Sequence, residues 1–147
     1  FTLDCGVVYY VYPGTGGDFD FLYVYGAVSF PVGPINTKVA AYYAPKDKAI
    51  GSKDNLWVYS DFAFPISDTP ITLKAHVGYT SGGSALAGPD GNYIDYAAGV
   101  DIAIKNLTFN VSYIGTDIKG SEADAFYAIG GRDITDGAVV ATLTAAF

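Results

Sequence analysis

Take every second residue of this sequence and it becomes almost uniformly apolar, eight times over. The final segment carries Val139, Ala141, Leu143, Ala145 and Phe147 on one face, the first carries Leu3, Cys5, Val7 and Tyr9, and the sixth carries Ile94, Tyr96, Ala98, Val100, Ile102 and Ile104. Comparable sets occur near 21–30, 37–44, 55–64, 71–80 and 107–117, and none of these alternate positions holds Asp, Glu, Lys or Arg. Successive residues of a strand point to opposite faces, so a period of two predicts strands with one uncharged face. The segments are rich in Val, Ile, Tyr, Phe and Thr, and helical spacing fits none of them. The expected strands are 2–12, 21–30, 37–44, 55–64, 71–80, 93–104, 107–117 and 138–147, in a single domain spanning 1–147.

The opposite face has another chemistry. It holds Asp4, Lys38, Asp61, Lys74, His76, Asp95, Asp101 and Asn110 among Tyr, Thr, Ser, Gly and Ala. A β-sandwich or lipocalin-like binding module would hide the apolar face in a core, whereas a membrane barrel would turn it outward and keep the polar face within. Alternation alone fits both. No apolar run is long enough for a transmembrane helix. The net charge of −7 gives nucleic acid no basic surface. One cysteine and one histidine leave no internal disulfide and argue against a zinc site.

Turn signals separate the segments, and the connections alternate in length. Those after the first, third, fifth and seventh strands are long, polar or glycine-rich; those after the second, fourth and sixth are short. Short connections favour antiparallel neighbours, and the alternation is that of transmembrane barrels with short periplasmic turns and longer external loops. Residues 121–131 are expected to form a short helix within the last long loop. With odd strands taken as ascending, Tyr9, Tyr43, Tyr79 and Tyr113 stand on the apolar face near the upper ends, joined by Tyr96. Phe30, Phe64 and Phe147 stand near the lower ends. Two aromatic belts with smaller apolar residues between them are what a barrel carries at its two membrane interfaces. A sandwich core has no reason to sort Tyr to one end and Phe to the other. The expected fold is therefore an all-β, antiparallel up-and-down transmembrane β-barrel of about eight strands.

The segments LDCGVVYYVYPG (3–14), VYGAVSF (24–30), AYYAPKD (41–47), VYSDFAFP (58–65), LKAHVGYT (73–80), YIDYAAGVD (93–101) and SYIGTDI (112–118) occur in an order that resembles the TorF-type family of outer-membrane porins. The resemblance implies a barrel in the outer membrane of a Gram-negative bacterium, in contact with lipid and lipopolysaccharide, passing small polar solutes. It further implies that the strand ending in Phe147 is read by the outer-membrane assembly machinery, since a terminal aromatic resembles the insertion signal of such proteins. Members of that family carry further strands before the position matching Leu3, where this sequence departs from the pattern. The strand count and the bore are thereby left open.

Eight strands leave an interior just wide enough for side chains. The polar set would then be an ion-pair network filling the bore; with more strands the same residues would line a channel. A catalytic role for His76 lacks a nucleophile, because Ser60 and Cys5 fall on the opposite face. No enzymatic activity, cofactor or metal is expected. Asp90-Gly91-Asn92 has the oxygen ligands of a calcium loop, but such pairs more commonly form turns. The charged stretch 46–54 reads as a solvated connection. The glycosylation patterns at Asn106 and Asn110 begin a strand or lie inside one and are discounted.

Overall fold

The computed structural model describes residues 1–14, 16–119 and 135–147. Its eight strands are β1 (Thr2–Tyr10), β2 (Phe21–Val32), β3 (Ile35–Asp47), β4 (Lys53–Pro65), β5 (Ile71–Gly82), β6 (Asn92–Ile104), β7 (Leu107–Thr116) and β8 (Ala138–Ala145). They form one sheet in the order β1-β2-β3-β4-β5-β6-β7-β8, every neighbour antiparallel. Residues 121–131 lie outside the described residues.

Register follows the apolar period. Leu3 faces Val28, Val28 faces Val39, Val58 faces Tyr79, Leu73 faces Val100, Val100 faces Val111, and Phe109 faces Leu143. A slip of one residue would turn one strand's polar face onto its neighbour's apolar face, so the pattern fixes the facing and the turns fix the register among slips of two. The single irregularity in these ladders is a shift between Ala44 and Asp47.

The connections after β2, β3, β4 and β5 are shorter than expected, whereas β1 ends at Tyr10, two residues before the expected 12, and β8 at Ala145, two before 147. Strand β2 runs through Pro31 to Val32, leaving a two-residue turn at Gly33-Pro34 with Gly33 at φ 57°. Glycine at the first turn position suits the twist of a tight hairpin. The turn at Lys105-Asn106 puts Lys105 at φ 52°, a left-handed position costing a lysine about 1–2 kcal/mol. The charged stretch 46–54 is not merely a solvated connection. It extends the β3–β4 hairpin to Asp47 and Lys53 and inserts a 3-10 turn at Lys48–Ile50, capped by the Asp47 carboxylate. Ile50 is buried there against Phe21 and Ala44, because one apolar residue in a charged loop has a pocket to fill. A second 3-10 turn, Ala85–Ala87, follows β5.

Among the described residues no second layer covers the sheet. The sheet curls: Tyr23 on β2 and Thr116 on β7 line one cavity over the polar face. On that concave face Ala27, Ala40 and Tyr59 are buried, with Tyr42 and Trp57 packed on them. The apolar face is the exposed one, with Leu3 at 72% and Leu143 at 66% of full exposure against 2% for Ala40. The expected closed barrel is not what the sheet forms. Among the described residues, strands β1 and β8 pair on one side only.

Candidate functional site

The concave face gathers the predicted polar residues into two networks and one outlying pair. Register sets Lys38 opposite Asp61 and Asp61 opposite His76, a row across β3, β4 and β5. His76 Nδ1 lies 2.6 Å from Asp61 Oδ1, and His76 Nε2 lies 2.7 Å from Asp95 Oδ1 on β6. Ionised carboxylates only accept, so both contacts are hydrogen bonds when the ring is the imidazolium. Two carboxylates then share one cation. The Lys38 ammonium stands 5.7 Å from the centre of the Tyr59 ring, a cation–π distance that keeps a second positive charge beside the row.

Asp95 has another partner that the sequence does not reveal. Trp57 Nε1 on β4 donates to its Oδ2 at 3.1 Å, reaching across β5. The strand between holds Gly78 directly opposite Asp95. A methyl group there would overlap both the Asp95 carboxylate and the Trp57 indole nitrogen. The missing side chain of Gly78 is therefore what lets two strands touch over a third. No sequence spacing marks such a contact, because it depends on the registers of three strands together.

The second network is lower on the wall. Lys74 Nζ is 3.7 Å from Asp101 Oδ2. Asn110 Nδ2 donates to Asp101, and Ser112 Oγ donates to Asn110 Oδ1 at 2.8 Å. Asp4 stays apart from both networks and accepts from the Tyr25 hydroxyl at 3.3 Å.

Aromatic side chains missed by the sequence reading complete the wall. Tyr25 stacks on Tyr42 at 4.8 Å, Tyr42 meets Trp57 at 5.5 Å, Trp57 meets Tyr59 at 4.5 Å, and Tyr59 meets His76 at 5.3 Å. Their signal was present as tyrosines on the polar face, but rings of neighbouring strands meet only once register is known.

On the convex face, Tyr9, Tyr43, Tyr79, Tyr96 and Tyr113 are exposed, as are Phe64 and Phe147, while Phe30 is half-buried. Tyr96 and Tyr113 approach to 6.5 Å. Asp90-Gly91-Asn92 is a turn: Gly91 has φ 75°, Gly82 N donates to Gly91 O, and Asn92 Nδ2 donates to Asp90 O. Among the described residues no three His, Cys, Asp or Glu side chains form a group able to hold a metal ion.

Fold and wall together define an all-β up-and-down sheet of eight antiparallel strands among the described residues, with its ion pairs and a chain of aromatic ring contacts on the concave face. The chain belongs to the family described as "Bacterial protein of unknown function (Gcw_chp)", which it matches over residues 1–147. No curated protein and no solved structure matches it.

Proposed function

We propose that this sheet is the wall of an outer-membrane β-barrel that admits small polar solutes past an Asp-, Lys- and Tyr-lined interior. The observation carrying the proposal is the exposure of the apolar face. Large side chains such as Leu3, Val24, Val58, Leu73, Val77, Phe109, Val111 and Leu143 stand exposed across six of the strands, while the wall's ion pairs occupy the other face. A continuous apolar patch of this extent on a water-soluble protein would be a liability, and a soluble binding module would hold it inside. Hydrocarbon removes the conflict.

The tyrosine belt supplies a geometric argument. Through the register, Tyr43 is level with Val7, two residues below Tyr9; Tyr79 is level with Ala41, two below Tyr43; and Tyr113 is level with Ala75, four below Tyr79. A belt that is flat in a membrane therefore slopes by eight residues over six strand steps. At ~3.3 Å per residue and ~4.8 Å per strand, that slope corresponds to strands tilted by about 42°. Membrane barrels tilt by roughly 35–45°. On the lower side, Phe30 is level with Phe62, two residues from Phe64, a slope of the same direction. On β5, Tyr79 and Ile71 are eight residues apart, about 20 Å along the axis at that tilt before the rings are added.

A sheet in hydrocarbon leaves no edge unpaired. Strand β1 ascends and β8 descends, so their free edges pair antiparallel directly or through an even number of further strands. Neither edge strand contains proline, β1 has Asp4 as its one charge and β8 has none, so β8 in particular is open to pairing.

Membrane fractionation with urea extraction, gel mobility with and without boiling, and single-channel recording test the proposal. Expected are urea resistance, a mobility change on boiling and discrete conductance. Solubility without detergent would overturn the membrane placement. A membrane-integrated but silent protein would favour a non-conducting structural barrel, for which the Asp61–His76–Asp95 network would serve as filling.

A further inference from the structure

Both ring nitrogens of His76 face a carboxylate oxygen, Nδ1 toward Asp61 at 2.6 Å and Nε2 toward Asp95 at 2.7 Å. We propose that His76 is a proton-operated latch: it holds the Asp61 carboxylate against the wall and releases it toward the interior when Nδ1 gives its proton to water. The proposal deepens the porin reading by naming a regulation of that wall, and rests on that reading only for the effect on passing solutes.

The first argument is a count of donors. An imidazolium has two N–H groups and a neutral imidazole has one, while an ionised carboxylate only accepts. The neutral ring therefore satisfies one of the two acids and turns a nitrogen lone pair toward the other. At the observed separations that lone pair and the anionic oxygen repel, and the contact opens.

The second argument is an asymmetry that decides which acid leaves. Asp95 is held twice, because its Oδ2 also accepts from Trp57 Nε1 at 3.1 Å through the gap left by Gly78. Among the described residues, the contact with His76 is the one side-chain hydrogen bond of Asp61. The Asp61 side chain is 41% exposed, against 23% for Asp95. It also has room to move: Asp61, Lys74 and His76 border a cavity of about 170 Å³, and Lys38 stands opposite Asp61 on β3. The neutral ring keeps its Nε2–H on Asp95, and Asp61 swings free.

The third argument is the charge that changes. Two carboxylates and an imidazolium sum to one negative charge; without the proton they sum to two. Among the described residues, the titratable and charged groups facing the ring are Asp61 and Tyr59 on β4, Asp95 on β6, Lys74 on β5 itself, and Asp136 across a cavity of about 260 Å³. Carboxylates ordinarily change charge near pH ~4 and lysine and tyrosine near pH ~10, so between about pH 5 and about pH 9 the histidine is the side chain suited to switch. Its deprotonation leaves a more acidic wall with a freed carboxylate on it, which favours passing cations.

His76 and Trp57 are the chain's one histidine and one tryptophan, so each gives a single unambiguous nitrogen signal. The full chain, isotope-labelled on both residues and refolded in detergent micelles, is followed by NMR from about pH 5 to about pH 9. Expected are two protonated ring nitrogens at the acid end, loss of the Nδ1 proton alone as the pH rises, and a Trp57 indole signal that keeps its hydrogen bond throughout. Planar-bilayer recording over the same range is expected to show the cation-to-anion permeability ratio rising about twofold or more with the same midpoint, and a flat ratio for His76→Gln. The wild-type NMR titration decides the matter if His76→Gln does not fold. The latch is overturned by a ring that keeps one protonation state across the range, by loss of the Nε2 proton instead, or by a Trp57 signal that moves with the ring as far as it does in Asp95→Asn. A flat wild-type ratio while the ring titrates, or a His76→Gln ratio that titrates like wild type, overturns the effect on solutes. A silent bilayer beside a titrating ring counts against the porin reading and leaves the latch supported.

Discussion

Val100→Arg is the substitution whose outcome separates a lipid-facing surface from a water-facing one. Val100 sits on the convex face of β6, opposite Leu73 on β5 and Val111 on β7. It lies four residues from Tyr96 at the upper level and four from Ile104 at the lower end of the strand. At ~3.3 Å per residue and a tilt of about 42°, that is roughly 10 Å of axial depth from either level, the middle of the apolar band. An arginine at that depth costs about 2–4 kcal/mol, and near an interface about 0–1 kcal/mol. Ile94, exposed on the same face of the same strand above Tyr96, provides the shallow control. On a water-exposed sheet both changes would stay within about 0.5 kcal/mol of wild type. Refolding into phosphatidylcholine vesicles across a urea series, followed by gel mobility and Trp57 emission, yields the two free energies. Val100→Arg is expected to lose at least 2 kcal/mol and Ile94→Arg at most about 1 kcal/mol. Equal costs for the two, or no cost for Val100→Arg, would refute both the facing assignment and the depth derived from the tyrosine slope.

Three further outcomes follow from the concave wall. Gly78→Ala drives a methyl group into the Asp95 carboxylate and the Trp57 indole; a loss of about 1–3 kcal/mol and a red shift of Trp57 emission are expected, readable in the same urea series. His76→Leu leaves Asp61 and Asp95 without their shared donor. Because all three groups are partly solvated, the loss is expected at about 1–2 kcal/mol rather than the larger cost of breaking a fully buried pair, and Asp61→Asn in the same chain should recover part of it. Among the described residues of the wall networks and the outlying pair, Asp4, Asp61, Asp95 and Asp101 outnumber Lys38 and Lys74, with His76 between two of the acids. Planar-bilayer recording in a salt gradient should therefore give a reversal potential of cation sign, and an anion-selective potential would contradict the lining.

Much of this architecture was readable from residue order alone, for a physical reason. Strand identity and facing depend on a local period of two, and the absence of charge from one phase of that period fixed which face each strand presents, while the turns select among registers two residues apart. Leu73, Val100 and Val111 meet on one face across three strands, with Asp101 and Lys74 on the other. Extents were less legible. The second strand was expected to end at residue 30, yet β2 continues through Pro31 to Val32, and the charged 46–54 stretch conceals a hairpin extension closed over Ile50. The candidate site was legible as a set of residues and illegible as a structure. His76 and Asp61 could be assigned to one face, but the Trp57–Asp95 bond requires two registers across three strands and an empty position at Gly78. The burial of Asn55 on β4 has no sequence signature at all, since it depends on the 3-10 turn that carries Ser84 against it. Closure of the sheet is the least local property of all and left no mark on the alternation.

Cys5 offers the most direct measurement, because it is the chain's one cysteine and stands exposed on the convex face between Leu3 and Val7. A nitroxide attached there, with the protein reconstituted in lipid vesicles, reports whether its surroundings admit oxygen, which concentrates in hydrocarbon, or a water-soluble nickel chelate. High oxygen and low chelate accessibility is the result predicted for a convex face turned to lipid. Free access of the chelate to Cys5 in intact vesicles would contradict it.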